Sequence, residues 1–502
     1  MRKVSILATF LSVALVPLGA QSALALPPLA QEIGTVQGYT GRLGPVGVAF
    51  TSDGATAYVT NESSNSVSII NVADNTITGD ITDYAGNSPE QIAISPDERY
   101  VYVTNWSSGT VSVIDLTQNK QTQLVTGYTG TNPWGVAFTP DGQYAYVTNY
   151  SGGTISVIRV SDHTQIATVH NFDVESAPND VAFTPDGSKA YVTSIGLTND
   201  YIAIIDVTTH TQTGEVACYD QNYPEGVTFS SDGSIAYVAN TTSGSVSVIN
   251  ASSHSQVTTI DSVGVYPEFV AFSPDQTTAY VTNYSEGGVA IIRVSDHTQI
   301  GTVTGYSGQG GLGIAIAPGG DKAYVANYPG NSVSVLALPL APTLAPAALA
   351  TGAAGAAYTS YTFVTTGYPT PTISFALGTN TAATTPGASS VPSGLSLDGA
   401  TGALTGTIIP TVQPGTYTFT VVATNGIEPE ATREYSITVA AAPVPSTPVD
   451  PPPSAPQALT TAGGPGHLAN TGTEKNTASW YLAGMFIALG TAAALTRVRP
   501  IE

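Results

Sequence analysis

Histidines, turn aspartates, one cysteine and a set of glutamates beside aromatic residues are the side chains in this sequence that could carry chemistry. His163, His210, His254 and His297 recur in matching polar turns, each in a different repeat unit, so they should be dispersed rather than gathered on one metal. Asp141 and Asp186 sit in Pro-Asp-Gly turns, where a short carboxylate bonds the nearby backbone. Cys218 is the only cysteine, which excludes an intrachain disulfide and a multi-cysteine metal site. No Gly-x-Ser-x-Gly, His-Glu-x-x-His, phosphate-loop or EF-hand pattern occurs. No catalytic residue, metal or cofactor is therefore assigned. The glutamates read differently. Val46, Glu90, Trp134, Asn179, Glu225, Glu268 and Leu312 form a column, each standing just before a short apolar strand. Trp106, Tyr150, Tyr284 and Tyr328 follow a second recurring strand. Aromatic faces beside carboxylates and amides can bind a glycan, a peptide or a cation. The candidate ligand-binding set is Glu90, Trp106, Trp134, Tyr150, Asn179, Glu225, Glu268, Tyr284 and Tyr328. The competing reading is that the aromatics only cap the elements that carry them.

Those elements come from an internal repeat. Tyr-Val-Thr-Asn or a variant begins at Tyr58, Tyr102, Tyr146, Tyr191, Tyr237, Tyr280 and Tyr324, at spacings of 43 to 46 residues. Ser194 replaces the Asn in the fourth unit, and Ala239 and Ala326 replace the Thr in the fifth and seventh. Within a unit, Val136-Ala137-Phe138, the marker strand, Thr154 to Ile158 and Gln165 to Val169 alternate with turns, which makes four short strands. Four antiparallel strands in this length make one propeller blade, and seven markers predict seven blades. The seventh unit lacks its own fourth strand. Ile33-Gly34-Thr35-Val36 copies the fourth strand Ile300-Gly301-Thr302-Val303, so the N-terminal segment should complete the seventh blade. By that geometry the column rings the mouth of the central channel. The units resemble the YVTN-type β-propeller repeats of microbial surface-layer and surface-antigen proteins, over residues 32–340. That resemblance implies an exported propeller; relatives with a similar propeller include lactone-hydrolysing and electron-transfer enzymes.

After the repeat, residues 343–440 carry alternating strands, among them Tyr361 to Val364, Ile373 to Phe375, Thr416 to Val421 and Tyr435 to Val439. With Pro392-Ser393-Gly394-Leu395 and Thr401-Gly402-Ala403-Leu404, this segment resembles the Ig-like modules of bacterial surface proteins, which implies a β-sandwich spacer or adhesive unit. Residues 441–467 are rich in Pro, Ala, Ser, Thr and Gly and predict a disordered, extended stalk. The fold class expected is all-β: a seven-bladed propeller, an Ig-like sandwich, a Pro-rich stalk and a C-terminal transmembrane helix.

The two ends read as addresses. Arg2 and Lys3, an apolar stretch and Ala23-Leu24-Ala25 predict a signal peptide over residues 1–25. Residues 468–502 begin with Leu468-Ala469-Asn470-Thr471-Gly472, continue through an apolar span at 478–495 and end with Arg497 and Arg499. This order resembles the sortase cell-wall sorting signal, with Ala469 where Pro is usual, a variant associated with high-GC Gram-positive bacteria. The resemblance implies that a sortase joins Thr471 to peptidoglycan, so sortase and peptidoglycan are the expected partners beside an extracellular ligand. Membrane contact is expected only through the C-terminal segment before sorting. A formal charge of −22, from 13 bases against 35 acids, argues against nucleic acid as a partner. The reading is an extracellular, cell-wall-anchored display or adhesion protein rather than an enzyme. Its alternatives are a lactonase- or lyase-like enzyme with acids at the channel mouth, and a structural surface-layer subunit.

Overall fold

Strands built from Val, Ile, Thr and Tyr, punctuated by Gly, Asn and Asp, fold here into seven four-stranded antiparallel sheets and a smaller sandwich. A computed structural model describes residues 29–82, 84–170, 176–196, 200–217, 223–285, 288–376, 381–387 and 390–441. The expected signal peptide, Cys218, the expected stalk beyond Ala441, the sorting signal and its apolar span all lie outside the described residues. Among the described residues, no helix is long and apolar enough to cross a membrane.

The inner strands of the blades are Pro45–Phe50, Pro89–Ile94, Pro133–Phe138, Ala177–Phe183, Pro224–Phe229, Val265–Phe272 and Gly311–Ile316. Each touches the inner strand of the next blade, and the seventh touches the first, so the ring is closed. Closure uses the N-terminal segment. Strand Gln31–Thr35 pairs antiparallel with Ser332–Ala337, with Gln31 opposite Ala337 and Thr35 opposite Ser334. It is the outer strand of the seventh blade, as its copy of the fourth-strand sequence predicts.

The third strands alternate in sequence, and both of their faces are buried. In Thr154–Arg159 the polar Ser156 is wholly buried, because each blade is covered by a neighbour on either side. The buried Ser finds its partner in the marker: Asn149 Nδ2 donates to Ser156 Oγ at 3.1 Å and to Thr154 Oγ1 at 3.0 Å. Asn149 Oδ1 accepts the hydroxyl of Tyr128 at 2.5 Å.

The marker Tyr works between blades. Tyr102 shares a hydrogen bond with His163 Nδ1 at 2.6 Å, Tyr146 with His210 at 2.6 Å, Tyr191 with His254 at 2.6 Å and Tyr237 with His297 at 2.7 Å. Tyr58 donates to Asn119 and Tyr324 to Asn75 in the same way. These six Asn and His residues all have left-handed backbones, with φ between 48° and 55°, a turn position that Asn and His reach more readily than other non-glycine residues. The repeated histidines are thus rim latches at four successive blade junctions, which is why they do not converge.

The marker Thr explains how the inner strands are held. In every blade the inner strand bulges at the column residue: Pro89 faces Asn105 and Ile92 faces Val103, so Glu90 and Gln91 together oppose Thr104. Thr104 Oγ1 accepts from Gln91 N at 3.0 Å and donates to Trp134 O of the next blade at 2.6 Å. The same hook joins Thr60 to Glu90 O at 2.5 Å, Thr193 to Glu225 O at 2.7 Å and Thr282 to Leu312 O at 2.7 Å. Ala239 and Ala326 cannot make it. We expect Ala239→Thr to restore the hook to Glu268 O and to stabilise the propeller by about 1 kcal/mol. A thermal melt would read this as a rise of a few degrees; a fall would mean that the wholly buried Ala239 site has no room for a hydroxyl.

The Ig-like part has a four-stranded sheet, Gly352–Ala353, Ala431–Ala440, Gly415–Thr424 and Thr372–Phe375 in spatial order, and a three-stranded sheet of Tyr361–Thr362, Ala403–Gly406 and Leu395–Leu397. Tyr417, Phe419, Leu404 and Ile437 fill the core between them. The strand expected over Tyr361 to Val364 is interrupted. Phe363 turns into the core and its N–H bonds Gly402 O at 3.0 Å, while Val364 is exposed.

Candidate functional site: the mouth of the channel

The bulge that opens each inner strand re-aims the column side chain toward the channel mouth, and the loop after the marker strand lies beside it. Backbone bonds fix the two loops together. Trp106 N donates to Ser88 O at 2.9 Å, Tyr150 N to Asn132 O at 3.1 Å and Tyr328 N to Gly310 O at 3.0 Å. Small residues let the inner strands close in. A Cβ on Gly313 would lie 2.3 Å from Val46 O, and one on Gly135 would lie 2.7 Å from Asn179 O.

A cavity of about 300 Å³ results, lined by Glu62, Glu90, Glu225, Glu268, Trp134, Tyr284, Tyr328, Val46 and Leu312. Six of the nine sequence-predicted residues line it. The other three adjoin it. Asn179 Nδ2 donates to Glu225 Oε2, and Trp106 packs edge-on against Trp134 with ring centroids 5.6 Å apart. Tyr150 packs on Trp106 at 5.3 Å. Larger depressions on the rim, such as the one lined by Asp141, Tyr144, Asp186 and His210, are built from turn and latch residues.

Two acids were missed. Glu62 follows the first marker, at the position that Trp106 and Tyr150 occupy in their units, but a search for aromatics passes over it. Tyr328 donates to Glu62 Oε2 at 3.2 Å. Asp180 stands one residue beyond the column, where four other blades have glycine, and its Oδ2 accepts Val227 N at 3.0 Å.

Desolvation dominates the electrostatics. Burial pushes the Glu90 carboxyl up to about 8, helped by the like charge of Glu62. Burial likewise raises Glu268 to about 7 and Asp180 to about 6. Glu225 is pushed well above the usual carboxylate range by burial and then by the Glu268 charge, against the hydrogen bond from Asn179. Among the described residues, no Lys, Arg or His lines the cavity. The described basic residues are engaged elsewhere in several cases, as in Arg42 with Asp80 and Lys189 with Asp206. Among the described residues, no group of three or more His, Cys, Asp or Glu could hold a metal ion. The arrangement can therefore offer protonated carboxyls as donors, ionised ones as acceptors, and aromatic faces.

Comparison with known proteins agrees with this architecture. No curated protein matches the chain. The Ig-domain family He_PIG matches residues 341–440. Among solved structures, hydrazine synthase of Kuenenia stuttgartiensis is similar in fold, with 21% identity over 60% of this chain and 98% of that chain, and a TM-score of 0.54. The family described as lactonase, 7-bladed beta-propeller, matches residues 23–124, 128–261 and 250–355. Together these segments take in more than half of the chain, and the protein belongs to that seven-bladed β-propeller family.

Proposed function

We propose that this is an exported, cell-wall-anchored display or adhesion protein whose propeller binds an extracellular ligand at the channel mouth. The observation that carries the reading is the mouth itself: glutamates, two tryptophans and three tyrosines from different blades meet around one cavity. Such a set binds rather than supports, since desolvated carboxyls without a fixed cation weaken the fold that holds them. The Ig-like part serves as a spacer. Residues 441–467 serve as the stalk, and Leu468 to Gly472 as the sortase signal.

Anchoring and binding are tested separately. Fractionated cells should hold the protein in the wall, and Thr471→Ala should move it to the membrane or the medium; an unchanged distribution contradicts sortase anchoring. On glycan and protein arrays, Trp134→Ala should remove the captured signal.

A second reading is favoured by the family match: lactone hydrolysis, with a protonated Glu225 or Glu268 as general acid. We expect no turnover across a panel of lactones at neutral pH. Hydrolysis abolished by Glu225→Gln would replace the first reading by the second.

A further inference from the structure

Resting on the reading of the mouth as a binding site, the residues there also specify what kind of group it takes. Among the described residues, four glutamates and no basic side chain line the cavity. The side chain of Glu90 is the most enclosed, since the residue is only 6% exposed, and among the described residues no donor reaches its carboxylate. Trp134 Nε1 is also buried without a partner. A buried acid with neither donor nor counter-ion leaves a place for a positive group supplied from outside.

The aromatic rim narrows the choice. Just before the Pro-Glu pairs of the fifth and sixth inner strands stand Tyr223 and Tyr266, with φ of 61° and 55°. Of the five equivalent positions elsewhere, Gly44, Ser88, Asn132 and Gly310 share this backbone, mostly types that adopt it at lower energy, while Ala177 does not. A bulky side chain in the left-handed region is strained, and these two rings remain 46% and 45% exposed instead of packing inward. Both flank the glutamates Glu225 and Glu268 in sequence. Tyr284 and Tyr328 add aromatic surface within the cavity. A metal ion would ask for three or more converging ligand groups, which the described residues do not form. An organic cation asks for carboxylates at a distance and π faces close by.

We infer that the channel mouth binds an organic ammonium group, held over the tyrosine and tryptophan faces and neutralised by Glu90, Glu225 and Glu268. The group can arrive as a free alkylammonium compound or on a lysine side chain of a peptide.

Titration of the full-length protein by calorimetry and tryptophan fluorescence tests this. One arm uses choline, one a lysine-containing peptide, and one 3,3-dimethyl-1-butanol, the uncharged isostere of choline. Choline or the peptide should bind at least about tenfold more tightly than the alcohol, and the stronger of the two identifies the source. Tyr266→Gly should weaken that binding several-fold while the melting temperature holds or rises, because glycine relieves the backbone. Glu225→Gln should weaken it as well. Equal binding of choline and the alcohol, or no binding of either cation, overturns the inference. If Trp134→Ala still removes an array ligand in that case, the mouth remains a binding site for another chemistry; if it does not, both readings fall together.

Discussion

A chain that begins at Gln37, lacking the strand Gln31–Thr35, will lose the cooperative unfolding transition of the propeller. The missing strand supplies the ladder to Ser332–Ala337. It also ties the sixth blade to the seventh, because Glu32 N donates to Thr304 O at 3.0 Å and Thr304 N to Ala30 O at 3.1 Å. Buried Ala30 and Val36 leave with it, and Leu336 and Tyr280 become exposed. Several backbone hydrogen bonds at about 1 kcal/mol each, plus the apolar area, place the loss above roughly 5 kcal/mol. An open ring also presents an unpaired edge, so the truncated protein should aggregate. Adding a synthetic peptide of residues 29–37 should partly restore the circular dichroism melt. A truncated chain that melts within a degree or two of the intact one would place closure elsewhere.

The second large effect is a loss of stability as pH rises through neutrality. Glu90 has an ordinary value near 4.5 and a folded value of about 8. Between the two, the native state holds a proton that the unfolded chain has released, so stability is full below the lower value and declines toward the upper one. A shift of this size corresponds to about 5 kcal/mol. Among the described residues, the titratable groups facing Glu90 are Glu62 and Tyr328, and neither is a cation that would soften the effect. Glu225, Glu268 and Asp180 act in the same direction. His163 and His210 act in the opposite one: burial lowers both below 6.5, so their contribution is lost as pH falls beneath that value. Urea midpoints should therefore peak near mildly acidic pH. Glu90→Gln should gain a few kcal/mol at pH 8.5 and change little at pH 5. A variant that loses stability at both would show that the ionised carboxylate is satisfied in the native state.

The fold was readable because each unit repeats its grammar, and because Ile33 to Val36 copies a strand that the seventh unit lacks. The candidate site was legible as a column because these residues fall at one place in every unit. What lay beyond the sequence depends on neighbours from other blades. That Thr104 hooks Trp134 O, or that Tyr102 meets His163, involves residues 30 and 61 positions apart and follows only from the ring geometry. Glu62 and Asp180 escaped for a different reason. Glu62 holds an aligned position but departs from the aromatic type of the other units, and Asp180 stands one residue beyond the column; the first is revealed by its place in the cavity wall and the second by its burial.

Carboxyls at the channel mouth keep their protons near neutral pH because burial desolvates them and, among the described residues, no cation lines the cavity. Carbon-13 NMR titration of the glutamate side chains reads this directly. Glu90 and Glu268 should titrate near 8 and 7, and both should shift downward when a bound ammonium compound is present. Glutamates at the mouth that all titrate near 4.5, with or without that compound, would contradict it.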